Sequence, residues 1–329
     1  MNISRFLWDA AANSQRGLPV LSFPAAQKLG VDIEQLVKTA GLQARAMQVI
    51  ARETDILAAV SLMDLSVEAE AFGAKVNFSK NEIPAIVGQL VSDEEEARAL
   101  QIPSLDAGRA GVCVEGVRQA KGLIDNKPLL AGIIGPFSLA GCLMDVTEIM
   151  YICYDEPDTV HIVLEKATKY LIQYGTAMKE AGADGILMAE PLTGILNPEM
   201  AAELSVPYVK HIIDALQNRE FGIVYHNCGG SVPRMLNEIF SQNAVAYHFG
   251  NAVRMEEILA AAPADVLCMG NVDPASQFAQ GTPESVYAAT RELLDKCGKY
   301  RNFIPSSGCD IPAHSKWENI EAFFKALKD

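Results

Sequence analysis

Three residues of the chain, His226, Cys228 and Cys309, have side chains that bind zinc. His226 and Cys228 stand two positions apart in the segment Tyr-His-Asn-Cys-Gly-Gly, and Cys309 stands near the end of the chain in Ser-Ser-Gly-Cys-Asp. One imidazole and two thiolates supply three ligands of a tetrahedral zinc ion, and an open fourth position distinguishes a catalytic zinc from a structural one. If the three side chains meet in space, the sequence predicts a zinc enzyme.

The residues around these side chains alternate between short apolar runs and amphipathic segments, a pattern that predicts parallel strands joined by helices. The predicted strands are 19–23, 55–60, Leu129–Ile134, Gly185–Ala189, 221–225, 245–249, 266–269 and 303–305. Eight strand–helix units in a chain of 329 residues favour an α/β fold of the (β/α)8 TIM-barrel type, with an open doubly wound sheet as the alternative.

Two regions depart from this alternation. The N-terminal residues predict a helical extension, and the turn-forming residues within 68–89 predict an inserted hairpin and loop. Asn197, Thr282 and Ser315 are predicted to be N-caps of helices. Because the sequence contains no internal repeat or linker, we expect a single barrel domain over 1–329.

Reactive residues of such barrels lie where the strands end, on the carboxyl face. His226 and Cys228 end the fifth predicted strand, Cys309 ends the eighth and Glu190 ends the fourth, so all four are expected on one rim. His248 ends the sixth predicted strand. It is a candidate catalytic residue that orients substrate or acts as an acid, or else a hydrogen-bonded residue of the wall.

The composition narrows the class of protein. A formal net charge of −14 argues against nucleic acid or an anionic membrane as a partner. No apolar run of eighteen residues predicts a transmembrane helix, and the N-terminus lacks the pattern of a signal peptide. The seven cysteines are scattered, which does not suit a disulfide framework and predicts a reducing, cytoplasmic location.

Residues 135–140, Gly-Pro-Phe-Ser-Leu-Ala, resemble the Pro-Phe-Thr-Leu-Ala segment of the uroporphyrinogen decarboxylase superfamily. Within it, the chain is similar to the corrinoid-dependent methyltransferases, whose His-x-Cys and distant Gly-Cys signature is matched by His226, Cys228 and Cys309. Residues 317–320, Trp-Glu-Asn-Ile, look like the C-terminal block of that branch. The Arg-rich N-terminal motif of the decarboxylases has no counterpart here, which favours the methyltransferase branch.

The resemblance implies a zinc-dependent transfer of a methyl group from a methyl-corrinoid to a small thiol such as coenzyme M. The chain has no recognisable corrinoid-binding segment, so the corrinoid is expected on a separate corrinoid protein. Two thiolate ligands would leave the bound acceptor sulfur nucleophilic. Glu190 is then predicted to be the resting fourth ligand, which a thiolate displaces and which takes the thiol proton.

Two alternatives stay open: a decarboxylase that needs no cofactor, and a catalytically silent member that only binds a corrinoid protein. The acceptor is open as well, since coenzyme M, another thiol and tetrahydrofolate all suit the chemistry. A sulfonate on the acceptor would require a cation near the zinc, and the candidates are Lys316 and Arg254. The original methyl donor and the oligomeric state cannot be inferred from the sequence.

Overall fold

The structure, a computed structural model, describes residues 1–12 and 16–329. The strands in these residues are β1 (Ala59–Val60), β2 (Lys75–Asn77), β3 (Ala85–Val87), β4 (Leu129–Ile134), β5 (Gly185–Ala189), β6 (Gly222–Asn227), β7 (Ala246–Phe249), β8 (Cys268–Val272) and β9 (Phe303–Ser307). The helices up to β5 are α1 (Ile3–Ala11), α2 (Ala25–Leu29), α3 (Ile33–Lys38), α4 (Ala40–Glu53), α5 (Val67–Ala71), α6 (Glu94–Ala99), α7 (Ala110–Lys121), α8 (Pro136–Met144), α9 (Val146–Asp155) and α10 (Pro157–Glu180). Those after β5 are α11 (Pro198–Leu204), α12 (Val206–Leu216), α13 (Leu236–Phe240), α14 (Met255–Ala261), α15 (Pro283–Cys297) and α16 (Trp317–Lys328), with shorter helical turns at Pro191–Ile195, Val232–Arg234 and Pro274–Ala279.

Seven of the strands form one parallel sheet in the order β1-β4-β5-β6-β7-β8-β9. The order follows the chain without a reversal, whereas a doubly wound sheet reverses at a switch point. Helices connect the strands and cover the outside of the curled sheet. The predicted TIM-barrel class is therefore confirmed over its alternative. That the whole chain forms one domain stays a prediction.

The predicted strand at 19–23 is wrong, because the barrel closes there through an irregular extended segment. The Leu18 N–H donates to the Pro305 carbonyl of β9, and the Gly17 carbonyl accepts from the Leu57 N–H just before β1, each at 3.0 Å. Pro19 has no N–H to continue a ladder. One backbone hydrogen bond on each side joins β9 to β1 without forming a regular strand.

The two predicted departures from the alternation are present. Helix α1 is the N-terminal extension, and β2 and β3 form an antiparallel hairpin within the predicted insertion. The first part of that insertion differs from the prediction, because residues Val67–Ala71 form helix α5 instead of loop. The predicted strand at 55–60 shortens to the two residues of β1.

Side chains along the parallel strands alternate between two buried cores. Leu187 and Val224 belong to the core inside the barrel, while their neighbours Ile186 and Ile223 belong to the core beneath the helices. Strands that are buried on both faces read as unbroken apolar runs in the sequence. Two residues beyond Val224 on β6, His226 lies on the same inward face.

Helices α8 and α9 lie on the carboxyl side of the barrel, because α10 must run back to the amino end before β5 begins. A Cβ at Gly135, just before α8, would lie 2.3 Å from Glu190 Oε2, so only glycine allows this approach. Among the described helices none could cross a membrane by itself. The bent pair α8 and α9, with a 104° angle, meets the length and composition test only when the two are joined.

Candidate metal centre

The carboxyl ends of β6 and β9 carry the three predicted zinc ligands. His226 is the second-last residue of β6 and pairs in register with Ala189 of β5 and His248 of β7. Cys228 follows β6 directly, and Cys309 lies two residues beyond β9. Because all these strands are parallel, the side chains share one end of the barrel.

The ligand atoms of the three residues come together. The His226 nitrogen and the two sulfurs lie within 4.8 Å of one another, and His226 Nε2 is 3.6 Å from Cys309 Sγ. His226 is buried, whereas both cysteines are half-buried. One nitrogen and two sulfurs are a donor set that zinc favours. No carboxylate of the described residues joins this group.

The loop that carries Cys228 is held by local hydrogen bonding and close backbone contact. The Asn227 side chain accepts a hydrogen bond from the Gly229 N–H at 2.9 Å, which turns the chain directly after β6. A Cβ at Gly250 would lie 2.5 Å from Cys228 Cβ, so the glycine lets the loop after β7 reach the thiol. The position of this sulfur is thus fixed by two neighbouring loops.

The pKa values of the two thiols at the site shift in opposite directions. The pKa of Cys228 is lowered because the Cys309 thiol donates to it and His226 lies beside it. The pKa of Cys309 is raised because loss of that proton would leave two thiolates in contact. By contrast, burial raises the pKa of the other five cysteines, Cys113, Cys142, Cys153, Cys268 and Cys297. A cation bound between the two sulfurs would stabilise both as thiolates.

A hydrogen-bond chain sets the proton positions on His226. The Ser306 hydroxyl donates to the Leu18 carbonyl at 2.6 Å, so it accepts from His248 Nε2–H at 2.6 Å. The Nδ1 of His248 then carries a lone pair and accepts from His226 Nδ1–H at 2.7 Å. His226 Nε2, which faces Cys309, is left as the free lone pair that a metal requires.

His248 lies behind His226 and does not line the cavity at the thiols. It is fully buried, and burial together with the nearby His226 lowers the pKa of its imidazole well below the usual value. Its contacts are those of the hydrogen-bonded wall residue that the sequence analysis weighed against a catalytic one. The catalytic role of His248 stays a prediction.

Glu190 is held away from the three ligand atoms by the start of α8. Its Oε1 accepts from the N–H and hydroxyl of Ser138, and its Oε2 accepts from the Phe137 N–H at 3.0 Å. Burial raises the pKa of Glu190 to about 7, against the effect of these hydrogen bonds. Coordination of a metal by Glu190 would require these bonds to break, so its roles as fourth ligand and catalytic base stay predictions.

A cavity of about 70 Å³ lies over the thiols, and Asp310 is a lining residue that the sequence analysis missed. The wall is Val20, Met63, Leu65, Ala189, Pro191, His226, Cys228, Cys309 and Asp310. Asp310 Oδ1 accepts from the Ser22 hydroxyl at 3.2 Å, while Oδ2 is buried without a partner among the described residues. Burial raises the pKa of this carboxyl well above its usual value. Its position directly after Cys309 was the available signal.

The two predicted anchors for a sulfonate lie elsewhere. Lys316 and Arg254 have side chains that are 67% and 69% exposed, and both pair with nearby glutamates. Neither of them lines the cavity at the thiols. The wall described above contains no lysine or arginine that could neutralise an anionic acceptor.

Comparison with known proteins confirms the resemblance. The family model "Uroporphyrinogen decarboxylase (URO-D)" matches residues 19–329. The chain is 26% identical over 275 residues to methylcobamide:CoM methyltransferase MtbA of Methanosarcina acetivorans, covering 81% of this chain and 78% of that protein. It is 27% identical over 288 residues to uroporphyrinogen decarboxylase of Azoarcus sp., covering 84% and 78%.

A solved structure, a methyltransferase from Methanosarcina mazei, has the same fold, with a TM-score of 0.84 at 21% sequence identity. The match covers 94% of this chain and 93% of that one. The sequence relatives thus include both methyltransferases and decarboxylases, and the family match spans nearly the whole chain. The chain belongs to the uroporphyrinogen decarboxylase (URO-D) family.

Proposed function

We propose that the protein is a zinc-dependent methyltransferase that moves a methyl group from a methyl-corrinoid, carried by a separate protein, to a small thiol. One observation carries the proposal: the Nε2 of His226 and the sulfurs of Cys228 and Cys309 converge at the mouth of the barrel. Three such ligands leave the fourth position of a tetrahedral zinc open for an acceptor. The methyltransferase names among the sequence relatives support the same reaction class.

The residues fit zinc through their own chemistry. His226 would ligate through the lone pair of Nε2, which the hydrogen bond to His248 leaves free, and Cys228 and Cys309 would ligate as thiolates. A zinc ion bound there would hold an acceptor sulfur as a thiolate at neutral pH. Because two thiolate ligands offset the charge of the metal, the set suits alkyl transfer better than hydrolysis.

The transfer itself forms a carbon–sulfur bond as the cobalt–carbon bond of the methyl-corrinoid breaks. The electron pair of the broken bond stays on cobalt, which goes from Co(III) to Co(I), and the thiol proton passes to solvent. The apolar wall of Val20, Met63 and Leu65 limits water around the acceptor. We assign to these side chains the exclusion of water from the reacting sulfur.

A corrinoid protein would dock over the carboxyl end of the barrel, where the cavity opens. Large apolar side chains are exposed on this side, in the β2–β3 hairpin, on α9 and in the turn after β5. They are Ile83, Val87, Val146, Tyr151, Tyr154 and Ile195. Exposed apolar side chains grouped around a site are typical of a surface that binds a protein.

The two alternatives make different demands on this end of the barrel. A decarboxylase acting on a porphyrinogen must bind many carboxylates, and the cavity wall offers no lysine or arginine for them. A silent corrinoid-binding member would have no need of converging zinc ligands. The geometry therefore favours the methyltransferase over both.

The test combines metal analysis with a methyl-transfer assay. We expect about one zinc per chain after purification, and methylation of 2-mercaptoethanol by free methylcobalamin, followed by the loss of the methylcobalamin absorbance. Uroporphyrinogen serves as the alternative substrate in a parallel assay. Decarboxylation of the porphyrinogen by protein free of zinc, together with no thiol methylation, would refute the proposal.

A further inference from the structure

The cavity over the thiols is lined mostly by apolar side chains. Three of its nine wall residues are the proposed metal ligands, and five are apolar: Val20, Met63, Leu65, Ala189 and Pro191. The ninth, Asp310, offers no free oxygen to the cavity. Its Oδ1 accepts from the Ser22 hydroxyl at 3.2 Å, and its Oδ2 has less than 1 Å² of accessible surface. A molecule bound beside the metal ligands therefore contacts mainly carbon atoms.

The position of Val20 in this wall is fixed relative to the Cys309 thiol. The Val20 N–H donates to Ser307 Oγ at 2.9 Å, and its carbonyl accepts from the Ile311 N–H at 2.9 Å. Both partners lie within two residues of Cys309 in the chain. Val20 is thus tied to the loop that carries the ligand, and its N–H is not available to a bound anion.

Met63 and Leu65 stand on either side of a residue that is held by hydrogen bonds. Asp64 Oδ1 accepts from the Ser66 hydroxyl at 2.6 Å, and Asp64 Oδ2 accepts from the buried Arg109 guanidinium. This network fixes the backbone from which the two apolar side chains project. The shape of the cavity is therefore set before an acceptor binds.

The nearby cations are not available to an acceptor. Arg109 donates to Asp64 and, through Nε–H, to Glu70 Oε2 at 2.6 Å, so two carboxylates balance its charge. Arg109 does not line the cavity, and neither does Lys316 or Arg254. A sulfonate or carboxylate on the acceptor thus has no counter-charge among the described residues of the wall. An ammonium group likewise has no free carboxylate oxygen there to receive it.

The size of the cavity limits the acceptor as well. An apolar cavity of about 150 Å³ holds a benzene molecule, so the cavity of about 70 Å³ here holds about three non-hydrogen atoms. A charged group placed in it would lose its hydration without gaining a partner. An alkyl group would instead gain about fourfold in affinity for each buried methylene.

We propose that the methyl acceptor is an uncharged alkanethiol of two or three carbons, and that Val20, Met63 and Leu65 select it over sulfonated and amino thiols. This inference rests on the proposed methyl transfer to a metal-bound thiol. The thiol loses its proton and its sulfur occupies the open ligand position, while the alkyl chain lies against the three side chains. The sulfur then gains the methyl group, the electron pair of the cobalt–carbon bond stays on cobalt, and the product is a neutral dialkyl sulfide.

Four thiols of the form HS–CH2–CH2–X test the proposal, because they differ only in X. They are 1-propanethiol, 2-mercaptoethanol, cysteamine and coenzyme M, with a methyl, a hydroxyl, an ammonium and a sulfonate. With the zinc-loaded protein and free methylcobalamin, we expect kcat/KM for 1-propanethiol to exceed that for 2-mercaptoethanol by about tenfold and those for the two charged thiols by about 100-fold. A wild-type protein that prefers coenzyme M or cysteamine would overturn the inference.

Two variants of Leu65, which is half-buried, cancel the different intrinsic reactivities of the thiols. In Leu65→Lys the ratio of kcat/KM for coenzyme M to that for 1-propanethiol should rise at least tenfold, because the wall gains a cation. In Leu65→Ala the ratio for 1-pentanethiol to 1-propanethiol should rise about tenfold, because the cavity lengthens. Leu123→Lys, the same change at an exposed position at the amino end of the barrel, is the control and should keep the wild-type ratios. Wild-type ratios in both Leu65 variants would contradict the proposed selection.

Binding of the methylated products gives a second readout that needs no turnover. By calorimetry with the zinc-loaded wild type, methyl propyl sulfide should bind about tenfold more tightly than 2-(methylthio)ethanol, and 2-(methylthio)ethanesulfonate should bind most weakly. Equal binding of the three thioethers would also overturn the inference. If no thiol is methylated at all, the proposed function fails, whereas the thioether comparison still decides what the cavity selects.

Discussion

Glu190, which is buried, and Asp310, which is half-buried, are acidic residues at the carboxyl end of the barrel, yet their carboxylates have different surroundings. Both oxygens of Glu190 accept hydrogen bonds from the start of α8. Asp310 has one oxygen bound to Ser22 and one without a partner in the described residues. Burial of an acidic side chain therefore does not by itself indicate a functional role. An oxygen whose hydrogen bonding is incomplete is the stronger indication.

The sulfurs show the same contrast. Burial raises the pKa of Cys113 and Cys268 to about 12. These thiols therefore stay protonated and pack as small apolar side chains. The sulfurs of Cys228 and Cys309 instead lie within 4.8 Å of each other and of a His226 nitrogen, an arrangement that suits a cation. Cys113 and Cys268 pack in the core beneath the helices, whereas Cys228 and Cys309 line the cavity.

The largest effect is expected from Cys309→Ser, which removes one of the three metal ligands. Because a serine hydroxyl is not deprotonated at neutral pH, zinc binding and methyl transfer should fall by roughly 1,000-fold or more. Metal analysis after dialysis and the methylcobalamin assay measure the two losses. Cys113→Ser, the same change on α7 away from the site, should keep zinc and activity. One retained zinc and full turnover in Cys309→Ser would remove the basis of the proposed mechanism.

Glu190→Gln tests the role of the acidic residue whose two oxygens both accept hydrogen bonds. A glutamine cannot accept from all three donors of Phe137 and Ser138, so the free energy of unfolding should fall by about 1–3 kcal/mol, measured with denaturant. Zinc content should be unchanged, as should the zinc X-ray absorption spectrum of the acceptor-free protein. Altered coordination in that spectrum would instead support the fourth-ligand role predicted from the sequence.

Much of the fold could be predicted because strands buried on both faces produce unbroken apolar runs, as in Leu129–Ile134 and Gly185–Ala189. Asn197 and Thr282 cap α11 and α15 as predicted, since a cap depends on local sequence. Ser315 was predicted wrongly: α16 begins at Trp317, and Lys316 precedes it without a side-chain cap. The closing segment at 17–20 also depends on distant partners, which a local pattern does not reveal.

The site residues could be predicted where a metal-binding side chain stands at the end of a predicted strand. His226, Cys228 and Cys309 combine metal-binding side chains with positions at the ends of parallel strands, and these two facts are visible in the sequence. Hydrogen bonding was not visible. The donors to Glu190 come from α8, and the donor to Asp310 Oδ1 is Ser22; both lie far away in the chain.

His248→Phe tests whether the hydrogen bond between His226 and His248, behind the site, positions a metal ligand. The change leaves His226 Nδ1–H buried without an acceptor, so the imidazole loses the contact that fixes its tautomer. Zinc affinity should fall by about 10–100-fold, as measured by competition with a chelator. Nitrogen NMR of the metal-free protein should show His226 as the Nδ1–H tautomer in the wild type and a mixture in the variant. An unchanged tautomer and affinity would limit His248 to packing.

The smallest effect is expected at the exposed apolar surface, where the proposed partner binds. Tyr151 and Tyr154 on α9 are 64% and 68% exposed, so replacing both with serine should leave zinc content and the reaction with free methylcobalamin unchanged. Methyl transfer from a corrinoid protein should show a KM about tenfold higher, because two aromatic contacts are lost. Leu123→Ser, an exposed apolar position between α7 and β4 at the amino end, is the control and should have no effect. An equal loss with free methylcobalamin would show that the tyrosines stabilise the fold of α9 and do not form a docking surface.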